Sequence, residues 1–391
     1  MVNTKLALFV NGRKHTFSTL EKYLSKTDKT IWIHAASLGE YEQGLPILEQ
    51  LKLEYPNHKL LLTFFSPSGY EVKKNTKAAD IVTYLPIDTT KKVIRFLDIV
   101  RPELAVFIKY EIWPNYLSEL GKRKVPTLLI SALFRKSQIY FRGYGDFMRK
   151  SLNNFSHFYV QDNQSKELLQ GINMTNISIA GDTRFDRVSE ILKSDNGLEF
   201  MNRFSKNSTC FVAGSTWPED EELLIDYINK SSSSIKFVIA PHNIKTAHIS
   251  GLENSITKST VLYSKNQQED LEATQVLIID TIGLLTKIYS YADIAYVGGG
   301  FATGLHNTIE PAVFGIPVLI GPNYSGFLEA EKLVSLGGIV SVANKKEFFS
   351  IVETLFEDKE KRKNLGLINS SYIENSKGAS IQIMDGIRTL L

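Results

Sequence analysis

Short apolar runs alternate with amphipathic stretches along the first half of the chain. The runs are rich in β-branched residues and predict strands at Thr30–His34, Lys59–Phe64, Ile81–Tyr84, Leu104–Ile108, Thr127–Ile130, His157–Val160 and Ile177–Ala180. Helical periodicity lies between them, in Tyr41–Glu54, Lys91–Val100 and Gln164–Gln170. Nearly continuous apolar strands that alternate with helices are typical of a parallel sheet covered on both faces.

The alternation restarts after residue 186 and predicts a second domain. Its predicted strands are Cys210–Ala213, Lys236–Ala240, Val261–Tyr263, Val276–Ile279, Ile294–Val297 and Pro317–Ile320. We therefore expect an α/β fold of two doubly wound, Rossmann-like domains, 1–186 and 187–377, with a hinge near 186–206. Such domains bind ligands at the carboxyl ends of their strands, which predicts a cleft between the two. The last segment, 378–391, is predicted as a helix that could pack back on the first domain.

Composition narrows the function only slightly. The chain has 391 residues, 43% hydrophobic and 22% charged, which suits two ordinary globular cores. A net charge of +3 is too small to indicate nucleic-acid binding. The single cysteine, Cys210, excludes an intrachain disulfide and is expected in the core rather than as a nucleophile. Since no run reaches the roughly 18 apolar residues of a spanning helix, we expect any work at a membrane to occur on its surface.

The most informative segment runs from Tyr296 to Val318. It contains a strand, the three consecutive glycines 298–300, a polar loop and a helix expected to begin near Asn307. Glycines after a strand let backbone N–H groups approach an anion, and a helix N-terminus favours negative charge. Glu310 could accept hydrogen bonds from two ribose hydroxyls, or could merely complement the helix dipole. The spacing matches neither a P-loop nor a dinucleotide-binding fingerprint.

Another strand-to-helix turn, at 213–221, has the composition of a phosphate site. Gly214 permits close approach of the backbone, and Ser215 and Thr216 offer hydroxyls beside free N–H groups. The same hydroxyls could instead serve only as helix caps.

One carboxylate of the first domain stands at a comparable position. Glu40 follows the buried strand that includes Ile31 and opens a helix, after a turn shaped by Ser37 and Gly39. Because such domains bind ligands at the carboxyl ends of their strands, we expect Glu40 to point into the predicted cleft, where it could act as a general base. The alternative is a carboxylate that caps the helix.

These segments together resemble the Kdo transferases. These GT-B glycosyltransferases move 3-deoxy-manno-octulosonic acid (Kdo) from CMP-Kdo to a lipid A precursor. The likeness rests on Ser-x-Gly-Glu at 37–40, on the turn at 213–221 and on the glycine-rich run at 298–312, and it covers about residues 30–345. It implies an inverting reaction with Glu40 as the base. The sequence has no Asp-x-Asp motif and no His/Cys cluster with metal-ligand spacing, so we expect neither metal nor cofactor. The donor residues that the resemblance implies are Gly214, Ser215, Thr216, His242, Gly283, Gly299, Gly300, Gly304, His306, Asn307 and Glu310.

The residues that would bind the acceptor are less well defined. The resemblance points to Ser37, Gly39, Glu111 and Arg135. Glu111 could orient the acceptor or could simply hold its loop, and Arg135 could meet the donor carboxylate or an acceptor phosphate.

Two positions depart from the family pattern. Lys109 stands where a second acidic residue is common, and His242 directly follows Pro241 where an arginine is common. His242 is interpreted either as the replacement contact to the donor or as a structural histidine at a strand end.

Residues 134–150 interleave aromatic side chains with five basic ones and one acid. This composition fits an anionic membrane surface, and it also fits an ordinary solvated helix face. The resemblance implies a peripheral enzyme on the cytoplasmic face of the bacterial inner membrane, or one anchored by a segment that is not evident here. CMP-Kdo and a lipid A precursor (lipid IVA) are then its partners, without nucleic acid.

Two rival functions stay open at this point. One is another two-domain nucleotide-sugar enzyme, either a UDP-sugar hexosyltransferase or a sugar-nucleotide epimerase, which competition by CMP against UDP would separate. The other is a catalytically silent glycolipid-binding protein, which would not release CMP in the presence of acceptor.

Overall fold

The chain forms two compact units, each built on one sheet. The computed structural model describes residues 2–232, 234–268, 270–302 and 304–391. Unit 1 comprises the residues up to Arg187 together with Ser376–Leu391, and unit 2 comprises Val188–Asn375. Each unit contains a seven-stranded sheet whose strands pair in parallel. The predicted α/β class with two doubly wound domains is therefore confirmed.

The first sheet follows the spatial order β3-β2-β1-β4-β5-β6-β7. Its strands are β1 (Lys29–Ala35), β2 (His58–Phe64), β3 (Ile81–Tyr84), β4 (Pro102–Ile108), β5 (Thr127–Ala132), β6 (His157–Val160) and β7 (Ile177–Ile179). The helices of this part are α1 (Val2–Lys14), α2 (Thr16–Tyr23), α3 (Leu38–Glu54), α4 (Pro67–Lys73), α5 (Thr90–Val100), α6 (Pro114–Lys122), α7 (Asp146–Leu152) and α8 (Asn163–Gln170). Helix α9 (Arg184–Ile191) runs from unit 1 into unit 2.

Both faces of the first sheet are apolar, because neighbouring residues of β1 point to opposite sides. Trp32 packs in one core, with its ring 4.9 Å from that of Phe96. Ile31 and Ile33 belong to the other core, together with Leu48 of α3. Because both faces are buried, polar side chains that could bind a ligand are expected at the ends of the strands.

The second sheet follows the order β10-β11-β9-β8-β12-β13-β14. Its strands are β8 (Thr209–Thr216), β9 (Ile235–Pro241), β10 (Thr260–Leu262), β11 (Val276–Ile278), β12 (Ile294–Val297), β13 (Val318–Ile320) and β14 (Ile339–Ser341). The helices are α10 (Glu199–Phe204), α11 (Pro218–Lys230), α12 (Thr246–Ser255), α13 (Leu285–Ile288), α14 (Ile309–Ala312), α15 (Leu328–Leu336), α16 (Lys345–Glu357) and α17 (Lys359–Asn375). Strand β14 escaped prediction because only three residues pair, directly after Gly337 and Gly338.

The N-terminal segment is helical, although the sequence pattern gave no helix there. Arg13 secures α1: its guanidinium donates to the carbonyls of Phe9 (2.8 Å), Leu85 (3.0 Å) and Phe65 (2.6 Å). The guanidinium carbon lies 3.7 Å from the centroid of the Phe9 ring, and burial lowers the pKa of Arg13 to about 10. Among the described residues, no helix is both long enough and apolar enough to cross a bilayer.

The last helix, α18 (Ala379–Arg388), belongs to unit 1. Ile383 and Ile387 are fully buried in the core that also contains Leu48. The start of the helix is capped by Asp186, whose carboxylate accepts the N–H groups of Gly378 (2.6 Å) and Ser380 (2.7 Å). A carboxylate at a helix N-terminus satisfies N–H groups that have no partner within the helix.

We expect Asp186→Ala to free α18 from this cap. The loss should reduce the local stability of the helix by about 1–2 kcal/mol, as other cap removals do. Hydrogen exchange of the α18 amides measures it. The control Asp385→Ala removes an exposed carboxylate from the same helix and should cost less than about 0.5 kcal/mol. Equal effects of the two changes would show that Asp186 does not cap α18.

Candidate active site

In unit 1, two loops meet where the order of the strands reverses. The chain moves outward from β1 through β2 to β3 and then restarts at β4 on the other side of β1. The loops that follow β1 and β4 therefore leave adjacent strands at the same edge, which is the usual ligand position of a doubly wound sheet. The first loop leads to Glu40 in α3, and the second carries Lys109 and Glu111.

Glu40 is 5% exposed, and it is held by the turn that precedes its own helix. Its Oε2 accepts the backbone N–H groups of Ala36 and of Ser37 (3.3 Å), and Ser37 is the N-cap residue of α3. Within the part of the chain that the structure describes, Oε1 accepts no hydrogen bond. The carboxylate thus caps the helix with one oxygen and keeps the other free.

The surroundings of Glu40 favour its neutral form. Burial, followed by the negative charge of Glu111, raises the pKa of Glu40 to about 7. The two backbone N–H groups and the positive charge of Lys109 act in the opposite direction but do not cancel burial. A carboxyl that is half ionised near neutral pH is well matched to general-base chemistry.

Glu111 is also buried, at 9% exposure, and its Oε2 has two neighbours. Trp113 Nε1 donates to it at 2.9 Å, and His34 Nε2 lies 3.3 Å away. His34, the last residue of the predicted strand Thr30–His34, is fully buried and lies at the end of β1 that faces this site. Lys109 adopts a left-handed backbone, with φ 66°, and its N–H donates to the carbonyl of Ile130 (2.9 Å).

In unit 2, the strand order reverses between β8 and β12. Asp220, on α11, ties together the loops that follow these two strands. Its Oδ2 accepts the N–H groups of Trp217 (2.9 Å) and Gly299 (2.8 Å), and its Oδ1 accepts the hydroxyl of Tyr296 (2.6 Å). Asp220 is fully buried, and burial followed by its charge raises the pKa of Tyr296. Each oxygen of this carboxylate is satisfied by the protein, so its role is to shape the glycine loop.

An aromatic stack stands at the same edge. The rings of Trp217 and His242 lie 4.7 Å apart at an angle of 15°, and His242 lies 4.7 Å from His306. Trp217 Nε1 donates to His306 Nε2 at 3.0 Å. Burial and the neighbouring His242 lower the pKa of His306, so its ring is neutral near pH 7 with the proton on Nδ1. That N–H is a fixed donor.

Glu310 is held by two side chains. Asn307 Nδ2 donates to its Oε1 and Thr286 Oγ1 to its Oε2, both at 2.9 Å. The helix expected to begin near Asn307 begins two residues later, since α14 covers Ile309–Ala312. The Asn307 side chain is the reason for the later start, because its oxygen accepts the N–H of Ile309 (3.2 Å). Each carboxylate oxygen can accept a second bond, so Glu310 stays available to hydroxyl groups.

Comparison with known proteins supports the resemblance to Kdo transferases. Residues 11–187 match the family model described as 3-deoxy-D-manno-octulosonic-acid transferase, or Kdo transferase. The 3-deoxy-D-manno-octulosonic acid transferase of Haemophilus influenzae is 27% identical over 92% of this chain and 87% of its own length. That of Aquifex aeolicus is 28% identical over 89% of this chain and 93% of its own length. The chain is therefore similar to Kdo transferases over most of its length.

Solved structures with the same fold include distant nucleotide-sugar enzymes. The UDP-GlcNAc 2-epimerase of Neisseria meningitidis aligns with a TM-score of 0.66 at 15% identity, covering 92% of this chain and 100% of that one. MurG of Acinetobacter baumannii aligns with a TM-score of 0.59 at 10% identity, covering 93% and 99%. At such identities these likenesses show the GT-B fold alone.

The glycines of the predicted donor site serve different purposes. A Cβ on Gly214 would lie 2.0 Å from the Tyr289 hydroxyl, and one on Gly300 would lie 2.7 Å from the backbone of Gly321. Gly299 and Gly304 have φ values of 95° and 146°, which favour glycine. Gly283 also has a positive φ, of 94°, but no atom lies near its Cβ position. The first two glycines are required by close packing and the other three by backbone conformation.

The two hydroxyls of the turn after β8 differ in their surroundings. Ser215 adopts a left-handed backbone, with φ 55°, at an irregularity of the strand. Thr216 is buried, and its hydroxyl donates to Glu221 (2.9 Å), which also contacts His248. The hydroxyl of Thr216 thus has a partner inside unit 2, and the donor-binding role of these two residues stays a prediction.

The predicted acceptor residues are not all brought together. Ser37 and Gly39 lie beside Glu40, and Glu111 interacts with it electrostatically. The Arg135 side chain is exposed, while its backbone N–H donates to Gln138 (3.0 Å). Its contact with an acceptor stays a prediction.

The segment 134–150 contributes to both the core and the surface. Phe134 and Tyr140 are buried, whereas Tyr144 and Phe147 are 81% and 73% exposed. Exposed rings beside exposed basic groups are compatible with a membrane surface, which stays a prediction. Within the described residues, no group of three or more His, Cys, Asp or Glu side chains is placed to hold a metal ion.

Asp220→Asn should disorder the glycine loop. An amide presents one accepting oxygen and one donating nitrogen, so at least one of the three donors that face Asp220 loses its acceptor. We expect a loss of about 2–3 kcal/mol in the free energy of unfolding, measured by urea denaturation. Glu219→Gln changes the exposed neighbouring carboxylate and should be nearly neutral. A stable Asp220→Asn variant would mean that the loop is held by other contacts.

Glu40→Gln should stabilise the protein at high pH. Folding raises the pKa of Glu40 from 4.5 to about 7, so its stabilising contribution is complete below about pH 4.5 and is lost as pH rises through 7. The free energy of unfolding of the variant should exceed that of the wild type by up to about 3 kcal/mol at pH 8.5, and the two should not differ near pH 4.5. Urea unfolding at both pH values tests this, with Glu21→Gln as the exposed control. A difference that does not depend on pH would contradict the raised pKa.

Proposed function

We propose that this chain transfers Kdo from CMP-Kdo to a hydroxyl group of a lipid A precursor, with inversion at the anomeric carbon. The observation that carries the proposal is Glu40, a buried carboxyl with a pKa of about 7 and one free oxygen. It stands where the strand order reverses, in a chain whose relatives bear the name of this transferase.

Glu40 supplies the base. The acceptor hydroxyl gives its proton to the free oxygen Oε1, and its own oxygen forms the new bond to the anomeric carbon. The bond between that carbon and the phosphate oxygen breaks, and CMP leaves with the electron pair. A base positioned this way is typically worth 10²–10⁴ in rate. Glu111 would orient the acceptor beside Glu40.

Unit 2 would bind the donor. The loop from Gly298 onward, which Asp220 holds through the Gly299 N–H, would contact the phosphate of CMP through its remaining backbone N–H groups. Glu310, which Asn307 and Thr286 hold in place, would accept the ribose hydroxyls. The turn that contains Gly283 would hold the cytosine ring.

The histidine pair would meet the acidic groups of the donor. His306 Nδ1 is a fixed N–H donor, since Trp217 occupies the other ring nitrogen. His242 packs against the rings of both Trp217 and His306, at the position where the family pattern has arginine. A phosphate or a carboxylate bound there would accept from both rings. This supports the interpretation of His242 as a donor contact over that of an isolated structural histidine.

The acceptor would approach from the inner membrane. Lipid IVA, the lipid A precursor that we propose, is an anionic glycolipid, and the exposed Arg135 and the basic surface of 142–150 suit its phosphates. Tyr144 and Phe147 would lie at the interface between the headgroups and the acyl chains. The enzyme would then work on the cytoplasmic face of the membrane.

Release of CMP from CMP-Kdo in the presence of a tetraacylated lipid A precursor tests the reaction. Wild-type kcat should rise with pH through about 7, as Glu40 becomes ionised. Glu40→Ala should lower kcat by about 10²–10⁴ with little change in KM for the donor, because the base acts in the transition state.

The matched control is Glu49→Gln, an exposed carboxylate on the same helix, which should retain activity. CMP should compete with the donor, whereas UDP should not. No CMP release by the wild type would refute the transfer or the acceptor, and an active Glu40→Ala enzyme would assign the base to another residue.

A further inference from the structure

The proton on His34 is placed by its neighbours in β2. Its Nδ1 lies 2.9 Å from the Thr63 hydroxyl oxygen and 3.1 Å from the Thr63 carbonyl oxygen. A carbonyl can only accept, so Nδ1 must carry a hydrogen. The Thr63 hydroxyl also accepts from Trp32 Nε1 (2.8 Å), which fixes its position in the core. In a neutral imidazole, the other ring nitrogen is then a bare acceptor.

That other nitrogen faces a carboxylate. His34 Nε2 lies 3.3 Å from Glu111 Oε2 and, although it is buried, has no hydrogen bond of good geometry within the described structure. An ionised carboxylate also only accepts, so the contact is repulsive unless a proton lies between the two atoms. Trp113 Nε1 donates to the same Oε2 (2.9 Å), which favours negative charge on that oxygen. The proton therefore belongs on His34.

We propose that His34 is a positioning residue for the transfer: as an imidazolium it offsets part of the charge of Glu111, so that the neighbouring Glu40 can ionise and act as the base. This inference rests on the proposed function in taking Glu40 as the base of a transferase. His34 itself is buried behind Glu111 in the core beneath the loops, so it acts through that residue and does not touch the substrate.

Apart from His34, the described charged and titratable groups around Glu111 do not neutralise its carboxylate. Glu40 approaches from α3 and adds negative charge, while Tyr110 on the same loop and Tyr140 beyond β5 are neutral phenols at pH 7. Lys109 lowers the pKa of Glu40 directly. Two carboxylates in one buried site share a proton unless a cation compensates one of them.

The variant His34→Asn separates the two contacts of the imidazole. An asparagine amide can still reach Thr63 from the Nδ1 position, but it cannot reach Glu111 and carries no charge. Glu40 and Glu111 should then hold a shared proton to higher pH. The acid limb of the kcat profile should move upward by about 1–2 pH units, with little change in KM for CMP-Kdo. His34→Gln restores a neutral donor toward Glu111 and should bring the limb part of the way back.

A matched control lies at the opposite edge of the same sheet. His58, at the start of β2, pairs with Glu103 at 2.8 Å and is remote from the strand ends that carry Glu40. His58→Asn should leave the acid limb unchanged. If His34→Asn lowers kcat equally at every pH, or moves the limb downward, His34 is merely structural and the proposal is wrong.

A second measurement does not depend on turnover. Imidazole ¹⁵N resonances of the seven histidines, with His34 assigned by its absence from the His34→Asn spectrum, report the protonation of each ring. We expect His34 to carry protons on both nitrogens at about pH 7.5, and the indole N–H of Trp113 to shift in the variant. A neutral His34 ring would overturn the inference even in an active enzyme. A charged ring in an enzyme that releases no CMP would sustain the ion pair and refute the proposed function instead.

Discussion

Parallel pairing constrains both units more than any single contact does. Two parallel neighbouring strands must be joined by a crossover connection, and in these sheets the crossover segments bury both faces. Polar side chains that could bind a ligand are therefore confined to the ends of the strands. Within each sheet, the order reverses at one place, between β1 and β4 or between β8 and β12, and two loops leave adjacent strands there. In unit 1 these loops carry the two buried glutamates, and in unit 2 they form the glycine loop and the aromatic stack. The position of the candidate site in each unit therefore follows from topology before any side chain is considered.

The two units use buried carboxylates in opposite ways. Asp220 receives three hydrogen bonds, two from backbone N–H groups and one from a phenol, and its charge fixes the shape of a loop. Glu40 receives two on one oxygen and faces a second carboxylate, so its charged form is poorly compensated and its pKa rises to about 7. A fully satisfied carboxylate rigidifies a site. A partly satisfied one remains reactive, at a cost in stability.

Local patterns predicted the strands other than β14 and the position of Glu40 after the first of them, because short apolar runs and a Ser-x-Gly-Glu turn consist of consecutive residues. Contacts between distant segments were out of reach. In its local sequence, Asp220 has the pattern of an acidic residue in the first turn of a helix. Its partners Tyr296 and Gly299 lie 76 and 79 residues away. The contact between His34 and Glu111 likewise joins β1 to the distant loop after β4. The start of α14 was misplaced since the Asn307 side chain, rather than the helix, takes the first N–H.

The cap that the sequence offers as one alternative for Glu40 is observed, and it is compatible with the base that we propose. The N–H groups of Ala36 and Ser37 fix Oε2 and orient Oε1 away from the turn, and they also pull the pKa of Glu40 downward. Burial and Glu111 push it upward, and burial is the largest of these effects. Without the cap, burial would leave the carboxyl neutral and idle near pH 7; without burial, the capped carboxylate would be too weak a base. The helix terminus therefore sets the basicity of the same side chain that it holds in place.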